Sequence, residues 1–315
     1  MLGNRNKIVA IIGPTAVGKT KLAMELAAFG EFEVISADSR QIYRYLDIGT
    51  AKPSLKEQSL IKHHCIDFLS PSDYYSAGNF ANDAKKVYNE IINKGKYPIL
   101  VGGSGLYIKA IIEGFSLIEN NLISNSNNSM QIRNDLEKVL IEYGKDFLYQ
   151  ELKKVDPKAA EIYPDKNPRR IMRAMEYYYS TGKLFSETFE ENKEFDFIPY
   201  YIGLNNNREI LYKTINDRVD KMWEIGLAEE TKQVLDMGFS KDLNSLNTVG
   251  YKETISYLDS LITKEQAIDL IKRNSRRYAK RQITWFKSIN DVNWYRFNEI
   301  NIKKIADEIK RFYHF

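Results

Sequence analysis

The sequence predicts an α/β protein: a parallel sheet core flanked by helices, with a helical domain inserted into it. Three observations carry that expectation. Short apolar runs recur at residues 7–12, 32–37, 98–101 and 200–204, with helix-like stretches between them. The first three scarcely alternate in polarity, as strands buried on both faces of a parallel sheet do. Strands separated by helices are joined by right-handed crossovers, which make neighbouring strands parallel. Finally, the strand rhythm stops between about residues 117 and 199, where helix-like segments replace it. The expected division is therefore a core of residues 1–116 and 200–315, whose C-terminal part is helical, and an insertion of residues 117–199.

Bulk properties narrow the class. A chain of 315 residues forms one large domain or two of ordinary size. Its 43% hydrophobic and 28% charged residues are those of a globular protein rather than a disordered one. Apolar runs fall well short of the roughly 20 residues that a membrane span needs, so no membrane association is expected. The first strand starts almost at the N-terminus, so neither a signal peptide nor secretion is expected and the cytoplasm is. The single cysteine, Cys65, excludes an internal disulfide and fits a reducing compartment. It reads as a small buried hydrophobe rather than a nucleophile. His63 and His64 adjoin it, but no second ligand pair stands at zinc-site spacing.

The first strand runs directly into Gly13, Pro14, Thr15, Ala16, Val17, Gly18, Lys19 and Thr20, a full G-x-x-x-x-G-K-[ST] phosphate-loop (P-loop) pattern. A helix-like stretch, residues 22–28, follows it. Glycines let such a loop wrap an anion, while its N–H groups and the helix N-terminus supply positive partial charge. Lys19 is placed to meet a terminal phosphate and the Thr20 hydroxyl to hold Mg²⁺. A ligand carrying a diphosphate is expected.

The second strand ends in Ser36, Ala37 and Asp38, followed by Ser39, Arg40 and Gln41. Ligands of parallel α/β sheets lie at the carboxyl ends of the strands, so Asp38 shares the crevice of the phosphate loop. Two roles are open to it: holding Mg²⁺ or taking a proton from a nucleophile, or capping a following helix. The third strand ends in Gly102 and Gly103, which permit close backbone approach to a ligand, and then Ser104 offers a hydroxyl at a helix N-terminus.

Within the insertion, residues 123–129 form a polar, turn-rich tract that reads as an exposed loop. Helices are expected at 130–143 and 167–182, the second framed by Asn167 as N-cap, Pro168 in the first turn and Gly182 at the end. From about Arg208 the chain is helix-rich, with a long helix at 264–289 and a weak strand at 292–297. Ile271, Tyr278, Trp285 and Ile289 follow helical spacing and are expected to face the core. The net charge of +4 is modest, yet residues 272–287 carry Lys272, Arg273, Arg276, Arg277, Lys280, Arg281 and Lys287 without one acid. Solvated helices usually relieve such repulsion with acids at i, i+4. A polyanionic partner, nucleic acid above all, explains the cluster better than a plain solvated face does.

Taken together these stretches resemble the bacterial tRNA dimethylallyltransferase family. The resemblance rests on the loop at 13–20, D-S-R-Q-I-Y at 38–43, D-I-G-T-A-K-P at 47–53, V-G-G-S-G-L-Y at 101–107, V-G-Y-K-E at 249–253 and R-R-Y-A-K-R-Q-I-T-W-F at 276–286. It implies transfer of a dimethylallyl group from its diphosphate to N6 of the adenosine just 3′ of the anticodon, with Mg²⁺ as cofactor. It also implies Asp38 as general base, Lys19, Thr15, Thr20 and Arg218 on the diphosphate side, and Ser104 near the reacting groups. An ordinary helix-surface arginine is the other reading of Arg218. On the tRNA side, contacts with the anticodon stem-loop are implied at Asp38, Ser39, Arg40, Gln41, Ser104, Arg133, Arg169, Arg170, Arg173, Asn247, Gly250, Tyr251, Lys252, Arg276, Arg277, Lys280, Arg281 and Gln282. The family commonly has threonine where Ser104 stands. The sequence shows no counterpart of the zinc-finger extension of eukaryotic relatives, so the bacterial type, as a monomer, is the expected match. Rival readings are a phosphate-loop kinase, a prenyltransferase acting on free adenine nucleotides and an RNA-binding NTPase switch.

Overall fold

The computed structural model describes residues 6–114, 127–189 and 197–313. Along the chain, β1 (Asn6–Ile12) enters α1 (Lys19–Leu26), and β2 (Phe32–Ala37) is followed by α2 (Leu55–Leu60) and the two-residue β3 (His63–His64). Next come α3 (Ala77–Asn93), β4 (Tyr97–Gly102) and α4 (Gly105–Glu113). Three helices follow: α5 (Asn127–Val155), α6 (Pro157–Ile162) and α7 (Pro168–Thr181). The chain then forms β5 (Phe197–Leu204), α8 (Arg208–Glu224), α9 (Leu227–Asp236), α10 (Tyr251–Leu258), α11 (Lys264–Lys287), β6 (Val292–Tyr295) and α12 (Ile302–Tyr313).

The strands make one six-stranded sheet in the order β3-β2-β4-β1-β5-β6, and every pair is parallel. Apolar continuity explains the order. In β1, Ile8 to Ile12 are fully buried, and this strand lies between β4 (Val9 opposite Ile99) and β5 (Val9 opposite Tyr200). The edges are the short β3 and β6, whose residues are half-buried or exposed. A two-residue strand leaves no period to read, which is why β3 was not foreseen.

Successive residues of a strand point to opposite faces. Val9 and Ile11 join Leu22 and Leu26 of α1, Ile215 of α8, Ala279 of α11 and Ile305 and Ile309 of α12 in one buried cluster. Full burial of such a side chain is worth about 1.5–3 kcal/mol over leaving it exposed. The hydroxyl of Tyr313 accepts from the Val9 N–H (3.0 Å) and donates to the Pro98 carbonyl (2.6 Å), tying the middle of β1 to the start of β4.

The chain divides into two compact units. The first, Met1–Asp73, Asn82–Ile112 and Asp196–Phe315, holds the sheet. The second, Tyr74–Ala81 and Glu113–Phe195, is helical. Its core includes Leu148, Leu152, Ile171, Met175 and Phe185. There α7 starts on Asn167, whose side chain accepts from the Arg169 N–H, has Pro168 in its first turn, and ends on Gly182 at φ 69°. Helix α5 is interrupted at Gly144 (φ 80°, ψ 173°), beside the expected end at residue 143. Of the polar tract, residues 123–126 lie outside the described residues, as do 117–122, and the chain is helical from Asn127.

The basic helix α11 buries Ala267, Ile271, Ala279, Gln282 and Phe286. That corrects part of the expected stripe: Tyr278 and Ile289 are half-buried and Trp285 is 39% exposed. Among the described residues no helix is long and apolar enough to cross a membrane.

Candidate active site

The loop after β1 is held by three side chains. Gly13 (φ 148°) passes so close to the end of β5 that a Cβ there would stand 2.4 Å from the Leu204 carbonyl oxygen. Gly18 turns left-handed (φ 104°) to start α1. Lys19 folds its ammonium back to donate to the carbonyls of Gly13 (2.9 Å) and Pro14 (2.7 Å). The Arg218 guanidinium, from α8, donates to the Thr15 hydroxyl at 3.1 Å. The Thr15 N–H donates to Gln282 of α11 at 2.8 Å, and the Gln282 amide N–H donates to the Gly103 carbonyl at 2.9 Å. This one glutamine therefore joins the loops that follow β1 and β4.

Burial pulls the Lys19 ammonium down from its ordinary value to about 8; Asp38 opposes that shift and Arg218 adds to it. Burial also lowers Arg218, again against Asp38. The two cations and the carboxylate thus feel one another across a cavity of about 310 Å³. Residues Thr15 to Lys21, Asp38 and Arg218 line it, and Met24, Val34, Pro53 and Val101 contribute apolar surface. The arrangement offers positive charge for an anion, an acceptor for a proton and a dry wall for hydrocarbon.

Asp38 Oδ1 accepts from the N–H groups of Arg40 (2.9 Å) and Gln41 (3.4 Å). It caps a turn and not a helix, since residues 39–42 form no helix. Capping and chemistry are compatible, because Oδ1 alone takes both bonds. Ser104 leads into α4, and its hydroxyl accepts from the Ser39 N–H (3.0 Å). Burial, followed by the nearby Asp38 charge, pushes the Tyr278 phenol up to about 12. Thr50, Ala51 and Pro53 also line the cavity, and the Gln41 amide N–H groups donate to the carbonyls of Thr50 (3.3 Å) and Ala51 (3.0 Å). The sequence reading named the run at 47–53 but gave it no role.

The residues expected to touch RNA divide sharply. Asn247, Lys252, Arg277, Lys280 and Arg281 are exposed. Arg40 is half-buried and donates to the Asn244 carbonyl at 2.6 Å. Arg276 is half-buried, donates to Asn216 at 2.6 Å and lies over the Tyr212 ring. Three more are buried and already engaged within the protein. Gln282 is 6% exposed and spent on the loops; Tyr251 is 0% exposed with its hydroxyl on Glu230; Gly250 is buried with its N–H on Glu253. The run 272–287 holds no acid of its own, but α8 supplies Asp220 to Lys272 at 2.6 Å. In the second unit Arg169 and Arg170 are exposed, while Arg133 and Arg173 each stand 3.8 Å from Glu176, a buried carboxyl raised by that burial.

Among the described residues no group of three His, Cys, Asp or Glu could hold a metal ion. The donor set fits Mg²⁺ as an ion shared with a diphosphate, since Mg²⁺ is held by few protein oxygens plus substrate phosphates and Thr20 offers one such oxygen. Burial pushes the Cys65 thiol up to about 12, which makes it an inert residue.

A parallel sheet whose inner strand feeds this loop defines a P-loop-type α/β protein. The family model of IPP transferases matches residues 41–289. A tRNA dimethylallyltransferase of Halalkalibacterium halodurans is 43% identical over 311 residues, covering 98% of this chain and 96% of that protein. One from Clostridioides difficile is 43% identical over 305 residues, 96% of each. The solved tRNA isopentenylpyrophosphate transferase of Bacillus halodurans is 41% identical, with a TM-score of 0.69 over 98% of this chain and 97% of that one. A solved eukaryotic dimethylallyltransferase acting on tRNA is 30% identical, with a TM-score of 0.75 over 92% of this chain and 73% of that one. The chain belongs to the IPP transferase family, the tRNA dimethylallyltransferases.

Proposed function

We propose that the protein transfers a dimethylallyl group from dimethylallyl diphosphate to N6 of the adenosine 3′-adjacent to the anticodon of tRNA, as a cytoplasmic monomer. One observation carries this reading beyond the family. Lys19, Arg218 and Asp38 line a single cavity, so an anion and a proton acceptor can serve opposite ends of one displacement. The exocyclic amine of adenine is a weak nucleophile, its lone pair being delocalised into the ring. As N6 attacks the allylic carbon, its proton passes to the Asp38 carboxylate, and the carbon–oxygen bond breaks with its electron pair going to the diphosphate. Lys19, Arg218 and the loop N–H groups stabilise that growing charge. Thr20 would hold Mg²⁺, which would supply further charge neutralisation at the diphosphate.

The target base normally stacks within the anticodon loop and must be extruded to reach Asp38. Exposed Arg277, Lys280, Arg281, Lys252, Asn247, Arg169 and Arg170 are assigned to the RNA, with Arg40, Ser39 and Ser104 at the rim of the crevice. The test is incubation with Mg²⁺, dimethylallyl diphosphate and unmodified tRNA, read by mass spectrometry for a prenylated adenosine. Asp38→Asn preserves the acceptor for Arg40 and Gln41 but removes the base. Turnover is expected to fall by about 10²–10⁴-fold with tRNA affinity unchanged. Unchanged turnover with weakened tRNA binding would refute the assignment.

A further inference from the structure

The run Asp47-Ile48-Gly49 carries a carboxylate where a turn of this kind could hold a ligand anion. Glu230, in the first turn of α9, directs Oε2 at the N–H groups of Asp47 (3.0 Å) and Ile48 (2.8 Å) and Oε1 at that of Gly49 (3.2 Å). The buried Tyr251 hydroxyl also donates to Oε1. Its ring fills the place of a Gly49 side chain, since a Cβ there would lie 2.5 Å from a ring carbon. On the other side Lys52, 4% exposed, places its ammonium between Asp47 and Asp67 (2.6 Å) and on the Tyr43 carbonyl (2.8 Å). No residue of this clamp reaches the cavity itself, yet the next residues, Thr50, Ala51 and Pro53, form part of its wall. The carbonyls of Thr50 and Ala51 in turn hold Gln41, whose N–H Asp38 caps.

We infer that Glu230 is a positioning residue for the donor: it locks the cavity wall formed by residues 50–53 and, through Gln41, the turn that carries Asp38. This rests on the proposed function. A carboxylate is needed because both its oxygens accept; an amide would turn its own N–H groups on donors. Glu230→Gln is nearly isosteric, so it changes the acceptor and not the volume.

In steady-state assays of the full chain, Glu230→Gln is expected to raise the KM for dimethylallyl diphosphate about tenfold, the cost of a lost charged hydrogen bond. It should also narrow the preference for that donor over geranyl diphosphate, while tRNA affinity in filter binding stays within about twofold. Tyr251→Phe, which removes one of the four donors, should move KM the same way by about threefold. Should Glu230→Gln lower the thermal midpoint too far to assay, Tyr251→Phe decides alone. A folded variant with unaltered KM and donor preference overturns the inference, as does an equal loss of tRNA affinity and turnover. Calorimetry with dimethylallyl thiolodiphosphate, which binds without transfer, reads the same weakening even if the parent proves inactive on tRNA. A failed inference is thereby told apart from a failed function.

Discussion

Lys19 is caught between burial, which disfavours its charge, and the proposed role at a diphosphate, which requires it. Its folded-state value of about 8 lies below the ordinary 10.5, so between those values the unfolded chain binds more protons. Stability should therefore rise with pH from about 8 to 10.5, and the burial penalty stands in full below 8; Lys19→Met should flatten the rise in a pH series of urea melts. Binding shows the opposite trend. An anion beside Lys19 restores its charge, so diphosphate binding near pH 8.5 should take up a proton and weaken as pH climbs past about 8. Titration calorimetry in two buffers of different ionisation enthalpy measures that uptake, and Lys19→Arg should abolish it because arginine stays charged.

At the scale of elements, α11 divides its work between two faces. Its buried Gln282 fastens the phosphate loop, while Arg277, Lys280 and Arg281 face outward. Gln282→Ala strands the Thr15 N–H and the Gly103 carbonyl and should destabilise by about 1–3 kcal/mol, raising the donor KM and sparing tRNA affinity. Replacing Arg277, Lys280 and Arg281 together by Ala should do the reverse, cutting the slope of log affinity against log salt by about 2. Competition binding at several salt concentrations separates the two. The charge of this helix was legible in the sequence; the inward turn of Gln282 was not, because a polar side chain shows no periodicity that marks a buried partner. The burial of Tyr251 and its bond to Glu230 were hidden for the same reason, and Glu230 looked like any acid in the first turn of a helix. Asp38, by contrast, was legible from its place just past an apolar strand, and only the turn it caps differed.

For the whole molecule, the strand-and-helix alternation sufficed to foresee a parallel sheet, since burial on both faces leaves continuous apolar runs in β1, β2 and β4. Of the two edges, β6 was expected as a weak strand, whereas β3 escaped because it is two residues long. All described residues that converge on the cavity belong to the first unit. Inorganic pyrophosphate with Mg²⁺ should accordingly slow amide exchange around residues 13–20, 36–41 and 101–104 and leave residues 145–181 unaffected, as hydrogen-exchange mass spectrometry would read.

The strand order also has a consequence for the nascent chain. Strand β1 leaves the ribosome first, yet one of its neighbours is β5, at 197–204. Arg218 and Gln282, which brace the loop, emerge later still. Pairings this distant along the chain close slowly and leave early strands exposed meanwhile. The opening strand must therefore wait, shielded by its own helix or by a chaperone, until Arg218 and Gln282 have been made before the crevice can exist.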